Sequence, residues 1–409
     1  KKITLIRDLR GRIRLLLPGE ESDYPGEKKS RLSALCRDLS PALGTYGFPP
    51  DRMVLFEKAM FLGDPQVVLR DAILKYKREG FTIQLLDRQV TGQDWLKEPL
   101  EQKATNPRVT FYGIKGGVGR STALIIWAWW LARQGKKVLL FDLDLESPGV
   151  SSTLLPNAML PNYGIVDWFV EDGVGQAESI EREMTAASPL SQELPGEIRI
   201  VPAFGATTRE YLPKLARCYT DTINSSFESW SGRLERMVSR IEKPFKPDIT
   251  LLDSRAGIHD IAAAVITRME SLVLLFAVNS PQTWKAYQFL FQYWKQQSNL
   301  VFHLRERIKI VASMIPETSR DEYMTRFTEH AWDLFRDEIY DTAEPNNPDA
   351  FSYDLNDHDA PHSPLPIFWH RALQEFDPIR EKNGWDEKTA RDSMELFMDQ
   401  MVSLIHEME

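Results

Sequence analysis

From residue 107 onward the chain alternates short apolar runs with helical stretches, and this alternation limits the possible folds more than any other feature. The runs at 109–112, 137–141, 198–201, 249–252, 272–278 and 308–311 have strand length. Parallel strands need a crossover between them, and a helix is the usual one. The pattern therefore predicts an α/β fold, a mostly parallel sheet with helices on both faces. Such sheets bind ligands outside the carboxyl ends of their strands. The informative residues should fall just after each run.

The first 105 residues read differently. Residues 3–7 and 12–17 have strand character and are joined by a turn at Leu9, Arg10 and Gly11. A polar loop at 22–30 contains Pro25 and Gly26. Helical spacing follows at 31–42, 51–61 and 65–78, the last with Val67, Val68, Ala72, Ile73 and Tyr76 on one stripe. Residues 81–86 read as a strand. A single core rarely grows past about 250–300 residues, so a chain of 409 divides. The division expected is a small α+β domain at 1–105 and an α/β domain at 106–409 that includes a C-terminal helix.

The first apolar run of the α/β domain leads into Lys115, Gly116, Gly117, Val118, Gly119, Arg120, Ser121 and Thr122, and then into an apolar helix. Strand, glycine-rich loop and helix in that order form a phosphate-binding context. Glycines let the backbone curl with its N–H groups pointing inward, at torsions that side chains disfavour. The helix N-terminus adds the positive end of its dipole. Ser121 stands where a hydroxyl can meet Mg²⁺.

Acids end the neighbouring runs. Asp142 and Asp144 close the second, and two carboxylates at i and i+2 share one side of a strand end and can share a hydrated cation. Asp253 closes the run at 249–252, and Gly257 follows four residues later. An apolar strand ending in an acid and then a glycine is the Walker B pattern.

Taken together, these motifs resemble the deviant Walker A ATPases of the SIMIBI class of P-loop proteins, the ParA, MinD, Mrp and ArsA group. Their loop reads Lys-Gly-Gly-x-Gly-Lys followed by Ser or Thr, and Lys115 matches the signature lysine. The resemblance implies that Lys115 reaches the phosphates of an opposite subunit in an ATP-sandwich dimer. It implies Mg²⁺ held by Ser121, Asp142 and Asp253, and a water positioned by Asp144. It implies that the Gly257 N–H senses the γ-phosphate, and that Pro366, in a Pro-bearing segment at 364–367, lies by the base. Residues 107–375 carry the resemblance; the first 105 do not.

The chain departs from that family at three places. Arg120 replaces the general P-loop lysine, and a planar forked guanidinium is not equivalent to a compact ammonium. Arg255 stands where the family usually has Pro, either as a further phosphate or cross-subunit contact or as an ordinary salt bridge. The strand at 308–314 lacks the Asn that reads adenine. ATP is therefore implied by the resemblance and not by the residues.

Net charge is −9, +4 in residues 1–106 and −13 in the rest, which argues against a nucleic-acid partner. The N-terminal excess sits in Lys1, Lys2, Arg7, Arg10, Arg12 and Arg14 against Asp8. It reads as a solvated hairpin face or as a contact for an acidic partner. Cys36 and Cys218 form no CxxC pair, so neither a zinc site nor a disulfide framework is indicated. No signal peptide is evident, and the longest apolar run, 123–132, is far short of a bilayer span. A cytoplasmic protein without a membrane role is expected.

Residues 337–370 hold five prolines and no Lys or Arg, the mark of a long irregular loop that is mobile or folded over a site. His358 and His362 within it are interrupted by Pro361, which disfavours a helical metal-ligand pair. A final helix at 393–408 shows Met394, Phe397, Met401, Leu404 and Met408 on one stripe and Glu395, Asp399 and Glu407 opposite. That acidic face suits packing on its own domain rather than a membrane surface. The leading reading is an ATP- and Mg²⁺-binding, slowly hydrolysing switch that dimerises around nucleotide and acts on an unknown protein partner through residues 1–105. The alternatives are a catalytically weak nucleotide-binding scaffold and a P-loop phosphotransferase or ligase acting on a small metabolite.

Overall fold

The computed structural model describes residues 2–60, 69, 73–78, 80–89, 92–100, 104–220, 222–223, 227–342, 350–379 and 386–406. The chain divides into two compact units, Lys1–Gln93 and Asp94–Glu409.

The first unit is a five-stranded sheet with strands β1 (Lys2–Arg7), β2 (Ile13–Leu17), β3 (Val54–Phe56), β4 (Ile73–Arg78) and β5 (Phe81–Asp87). Their order is β3-β2-β1-β5-β4, with β1–β5 and β2–β3 parallel and the other pairs antiparallel. Alternation along β2 sends Leu15 to a cluster with Cys36 and Met53, and Leu16 to a separate one with Ile6, Leu69 and Leu86. The helix expected at 31–42 is present as Glu27–Leu43.

Two helical expectations are corrected here. Within 51–61, Val54–Phe56 is a strand lying parallel to β2, preceded by a 3-10 turn at Pro50–Arg52 and followed by a short α-helix at Glu57–Met60. Pairing at the sheet edge overrides local helical spacing there. Within 65–78, Ile73–Arg78 is a strand paired antiparallel with β5. The missed signal was Gly80, whose φ of 72° sits at the turn between the two strands. The rest of that expected helix lies largely outside the described residues.

Charges on the β1–β2 hairpin meet partners within the unit. Arg7 pairs with Asp87, Arg12 pairs with Asp8, and the Arg12 and Arg14 guanidiniums lie 4.2 Å and 3.6 Å over the Phe48 ring. These contacts favour the plain reading of the basic hairpin over an acidic-partner surface.

The second unit is built on an eight-stranded sheet. Its strands are β6 (Arg108–Gly113), β7 (Lys137–Asp142), β8 (Ala186–Ala187), β9 (Glu197–Val201), β12 (Ile249–Asp253), β13 (Leu272–Ala277), β14 (Ile308–Ile315) and β15 (Leu365–Phe368), while β10 (Thr222–Ile223) and β11 (Phe227–Glu228) pair separately. The order is β15-β14-β13-β6-β12-β7-β9-β8, and every neighbouring pair is parallel except β8–β9. All six runs read from the sequence are strands. The two-residue β8 and the Pro-containing β15 are edge strands too short or too irregular to show an apolar run.

Successive residues of each strand feed opposite cores. Val109, Phe111, Val138 and Leu140 join one with Trp127; Tyr112, Leu139 and Phe141 join the other with Trp168 and Trp294. The first core is covered by helix Arg120–Arg133 and helix Glu387–His406, whose Phe397 meets Trp127 edge-on at 6.3 Å. This is the own-domain packing expected of the final helix. Helices Trp230–Phe245 and Pro281–Trp294 contribute to the second core. Among the described residues, no helix is long and apolar enough to cross a membrane.

The irregular segment before β15 is folded onto the unit: Ile310 N donates to the Pro361 carbonyl at 3.1 Å, and Lys309 Nζ donates to the Ala360 carbonyl at 2.7 Å. His362 is buried with both ring nitrogens engaged, Nδ1 by the Tyr340 hydroxyl and Nε2 by the Leu355 carbonyl. The histidine is a packing residue, neither a solvated loop residue nor a metal ligand.

Close backbone approach sets one strong constraint. A Cβ on Gly164 would lie 2.4 Å from Phe204 Cα, with no flexible side chain able to give way. Gly164→Ala is expected to cost about 3 kcal/mol by overpacking, a melting shift of roughly 5–10 °C in a thermal scan.

Candidate phosphate and cation site

Strand β6 lies between β12 and β13, at the middle of the sheet. The chain leaves β6 toward β7 on one side and later crosses from β12 past β6 to β13 and β14 on the other, so the carboxyl end of β6 opens at a switch point. The loop after β6 is where the sequence placed the glycine run.

The loop has the required geometry. Gly117 and Gly119 both have φ of 74°, in the left-handed region where glycine is at ease. Gly119 caps helix Arg120–Arg133, and Ala123 N donates to its carbonyl at 2.9 Å, so the helix starts directly at the loop. Lys115, Gly116, Gly117 and Gly119 are exposed, whereas Val118 is buried and anchors the loop to the core. Thr122 is partly buried in the first helical turn. Oriented main-chain N–H groups at a helix N-terminus suit an anion.

Strand register brings the acids to the same end of the sheet. Asp142 and Asp253 are direct neighbours across β7 and β12. Ser121 Oγ donates to Asp253 Oδ2 at 3.0 Å. Arg120 donates from Nε to Asp253 Oδ1 at 2.8 Å and from a terminal nitrogen to Asp144 Oδ2 at 3.2 Å. Burial opposes the Arg120 charge, but Asp253 and Asp144 outweigh it, and the arginine pKa is raised. Burial pushes the Asp253 carboxyl up despite Arg120 and Ser121. Asp142 is pushed up as well, by burial first and then by the charge of Asp253.

The site therefore sets two carboxylates, Asp253 and Asp144, on a single guanidinium, with Asp142 beside Asp253 on the next strand. Oδ1 of Asp142 and Oδ1 of Asp144 are buried without a hydrogen-bond partner. Orphaned carboxylate oxygens beside a hydroxyl are hard donors of the kind Mg²⁺ takes. Among the described residues, no three His, Cys, Asp or Glu side chains gather into a complete metal cage. Mg²⁺ sites on phosphate substrates do not need one, since they use one or two carboxylates with water and phosphate. The residues fit a nucleotide-associated cation.

Residues 109–286 match the family model described as the CobQ/CobB/MinD/ParA nucleotide binding domain. That stretch carries the phosphate loop together with Asp142, Asp144 and Asp253. The α/β unit is accordingly a SIMIBI-class P-loop nucleotide-binding unit, preceded by a strand-rich N-terminal region. Curated proteins give no match. Similar solved structures include pNOB8 ParA bound to nonspecific DNA, at 14% identity and TM-score 0.43, covering 74% of this chain and 98% of that one. The MinD cell division protein of Aquifex aeolicus shows 16% identity and TM-score 0.42, covering 73% and 97%. The cobyrinic acid a,c-diamide synthase of Mycobacterium smegmatis, with bound ATP analog and magnesium, shows 15% identity and TM-score 0.39, covering 59% and 86%.

Within this α/β unit, not every expected residue stands as anticipated. The Gly257 N–H donates to the Gly113 carbonyl at 3.0 Å, so it pins two strand-end loops together and is not free to sense a phosphate. Asp142 Oδ2 is committed to Ser151, accepting from its N–H at 2.7 Å and its hydroxyl at 2.6 Å, so Asp142 also anchors helix Val150–Leu154. Pro366 lies in edge strand β15 and lines a cavity of about 350 Å³ with Met324, Thr328 and His358. No phosphate-loop residue lines that cavity. Met314 comes closer to the loop: a Cβ on Gly119 would meet its Cγ at 3.7 Å. Its φ of 55°, at the irregular pairing of β14 with β15, was the signal no sequence pattern carried.

Arg255 takes the salt-bridge alternative. It pairs with Glu146 at 2.6 Å, and the Tyr219 hydroxyl donates to the same Glu146 oxygen. Glu146 thus ties the loop after β7 to the loop after β12. Sequence reading missed this junction, because Glu146, Tyr219 and Arg255 carry no shared motif.

Proposed function

We propose that this chain is an ATP-operated switch whose two copies close face to face around nucleotide and Mg²⁺. The observation that carries the reading is the left-handed pair Gly117 and Gly119 at a helix N-terminus, with Ser121 and Asp253 hydrogen-bonded beside it. Main-chain N–H groups of residues 116–121 would cradle the β-phosphate. Ser121, Asp253, Asp144 and Asp142 would hold the cation, which when bound neutralises charge developing on the phosphates. Asp144 would orient a water toward the terminal phosphate. Lys115 is exposed at the rim of the loop, free to reach outward rather than fold over its own site. We assign it to the phosphates of the second copy.

Residues 1–105 would carry recognition of a protein partner. The −13 balance of the remaining residues argues against a nucleic-acid surface. Cytoplasmic residence accords with this chemistry.

Lys115→Ala tests the arrangement. In sedimentation velocity with a non-hydrolysable ATP analogue and Mg²⁺, the native chain is expected to shift to a dimer. The variant is expected to stay monomeric while keeping analogue affinity within about tenfold, since one lost charge contact is worth roughly 1.5 kcal/mol. Dimerisation undisturbed by the substitution would turn the reading toward a phosphotransferase or ligase that works as a single subunit.

A further inference from the structure

Arg120 occupies the ground between the acids that a divalent cation would use. Its Nε is 2.8 Å from Asp253 Oδ1, and a terminal nitrogen is 3.2 Å from Asp144 Oδ2 and 3.4 Å from Ser121 Oγ. The ion-paired side chains are almost enclosed, at 10% exposure for Arg120, 13% for Asp144 and 1% for Asp253. The remaining Asp253 oxygen is taken by Ser121. A guanidinium can do this because its planar fork reaches two carboxylates at once, whereas an ammonium is a single point charge.

We propose that Arg120 is a tethered cation that competes with the metal for Asp253 and Asp144, so that this chain binds nucleotide with little dependence on Mg²⁺. The inference rests on the nucleotide-binding reading above and amends one part of it: in the resting chain Arg120 holds the place that reading gives to Mg²⁺. A metal entering the site must displace two charge-assisted hydrogen bonds from a guanidinium that cannot leave the protein. It must do so where Asp253 and Asp144 already share one positive charge, so displacement exposes the buried acids to one another. With Arg120 in place, the nucleotide finds its cation built in. Replacing the fork by an ammonium frees at least one carboxylate for the metal.

The test uses the full chain, with ADP as the probe in titration calorimetry, in excess Mg²⁺ and again in excess EDTA. Expected is a change in Kd below about threefold for the native chain and above about tenfold for Arg120→Lys. A second arm needs no nucleotide: Mn²⁺ titrated into the protein and followed by electron paramagnetic resonance. Bound Mn²⁺ is expected for Arg120→Lys and Arg120→Gln at concentrations where the native chain holds none, with circular dichroism confirming that the variants are folded. A native chain whose ADP affinity falls tenfold or more in EDTA overturns the proposal, whatever the variants do. Mn²⁺ binding by the native chain equal to that of the variants overturns it as well. If ADP binds none of the three proteins in either buffer, the nucleotide reading itself fails.

Discussion

Arg108→Ala is expected to lower the melting temperature of the nucleotide-binding unit by roughly 6–20 °C, the equivalent of about 3–5 kcal/mol for removing one partner of a buried ion pair. Arg108 is the first residue of β6, and its side chain is fully enclosed. It donates to Glu235 at 2.8 Å and to Glu242 at 2.7 Å, both on the helix Trp230–Phe245 that covers one face of the sheet. Burial opposes its charge, yet Glu242 and Glu235 hold the arginine pKa above its ordinary value. Burial raises the Glu235 carboxyl even with Arg108 against it. Truncating Arg108 would leave two buried acids facing each other. The triple variant Arg108→Met, Glu235→Leu, Glu242→Leu removes all three charges and is expected to recover most of the loss, because apolar replacement of a whole buried network is often near neutral. Differential scanning calorimetry of the single and triple variants separates these outcomes. A single variant melting within about 2 °C of the native chain would mean that water reaches the trio and screens it.

Neither this network nor the site acids' pairing could be read from the chain alone, though their framework could. The six central strands were legible because each is a short, mostly apolar run that is largely buried on both faces, the signature of a parallel sheet. The loop from Lys115 to Thr122 was legible because glycine spacing is a backbone requirement and leaves a local trace. Asp142 and Asp253 were legible as strand-end acids. What failed had non-local causes. Val54–Phe56 and Ile73–Arg78 are strands because of the partners they meet, β2 and β5, and periodicity within each segment says nothing of partners. The commitment of the Gly257 N–H to Gly113 depends on how two loops meet. Arg120 was visible as a departure from lysine, but its grip on both Asp253 and Asp144 needs strand positions that only the assembled sheet fixes.

The largest functional effect is expected from Gly117→Val, a substitution that meets no steric obstacle. A Cβ at position 117 would have nothing within 4 Å, so torsion alone decides the outcome. With φ at 74° the position is left-handed, and a β-branched residue there is a true outlier. The exposed loop can relieve that strain, on the order of 1–3 kcal/mol, by turning out of its curl. Doing so rotates successive N–H groups away from the place they share. Losing two charge-assisted hydrogen bonds of roughly 1.5–3 kcal/mol each weakens nucleotide binding by about 10²–10⁴-fold. The melting temperature of the free protein should barely move, because residues 115–117 are exposed and can relax while Val118 stays anchored. Gly175→Val supplies the control. Gly175 has φ of 76° and equally empty surroundings, but it follows helix Ile165–Gly173, in a turn outside the phosphate loop. It carries the same backbone penalty and should leave ADP affinity unchanged in calorimetry. If Gly117→Val binds ADP within about threefold of the native chain, the N–H groups of this loop are not what holds the phosphates. The switch would then have lost its anion site, and the acids around Arg120 would be a structural ion cluster at the end of a sheet.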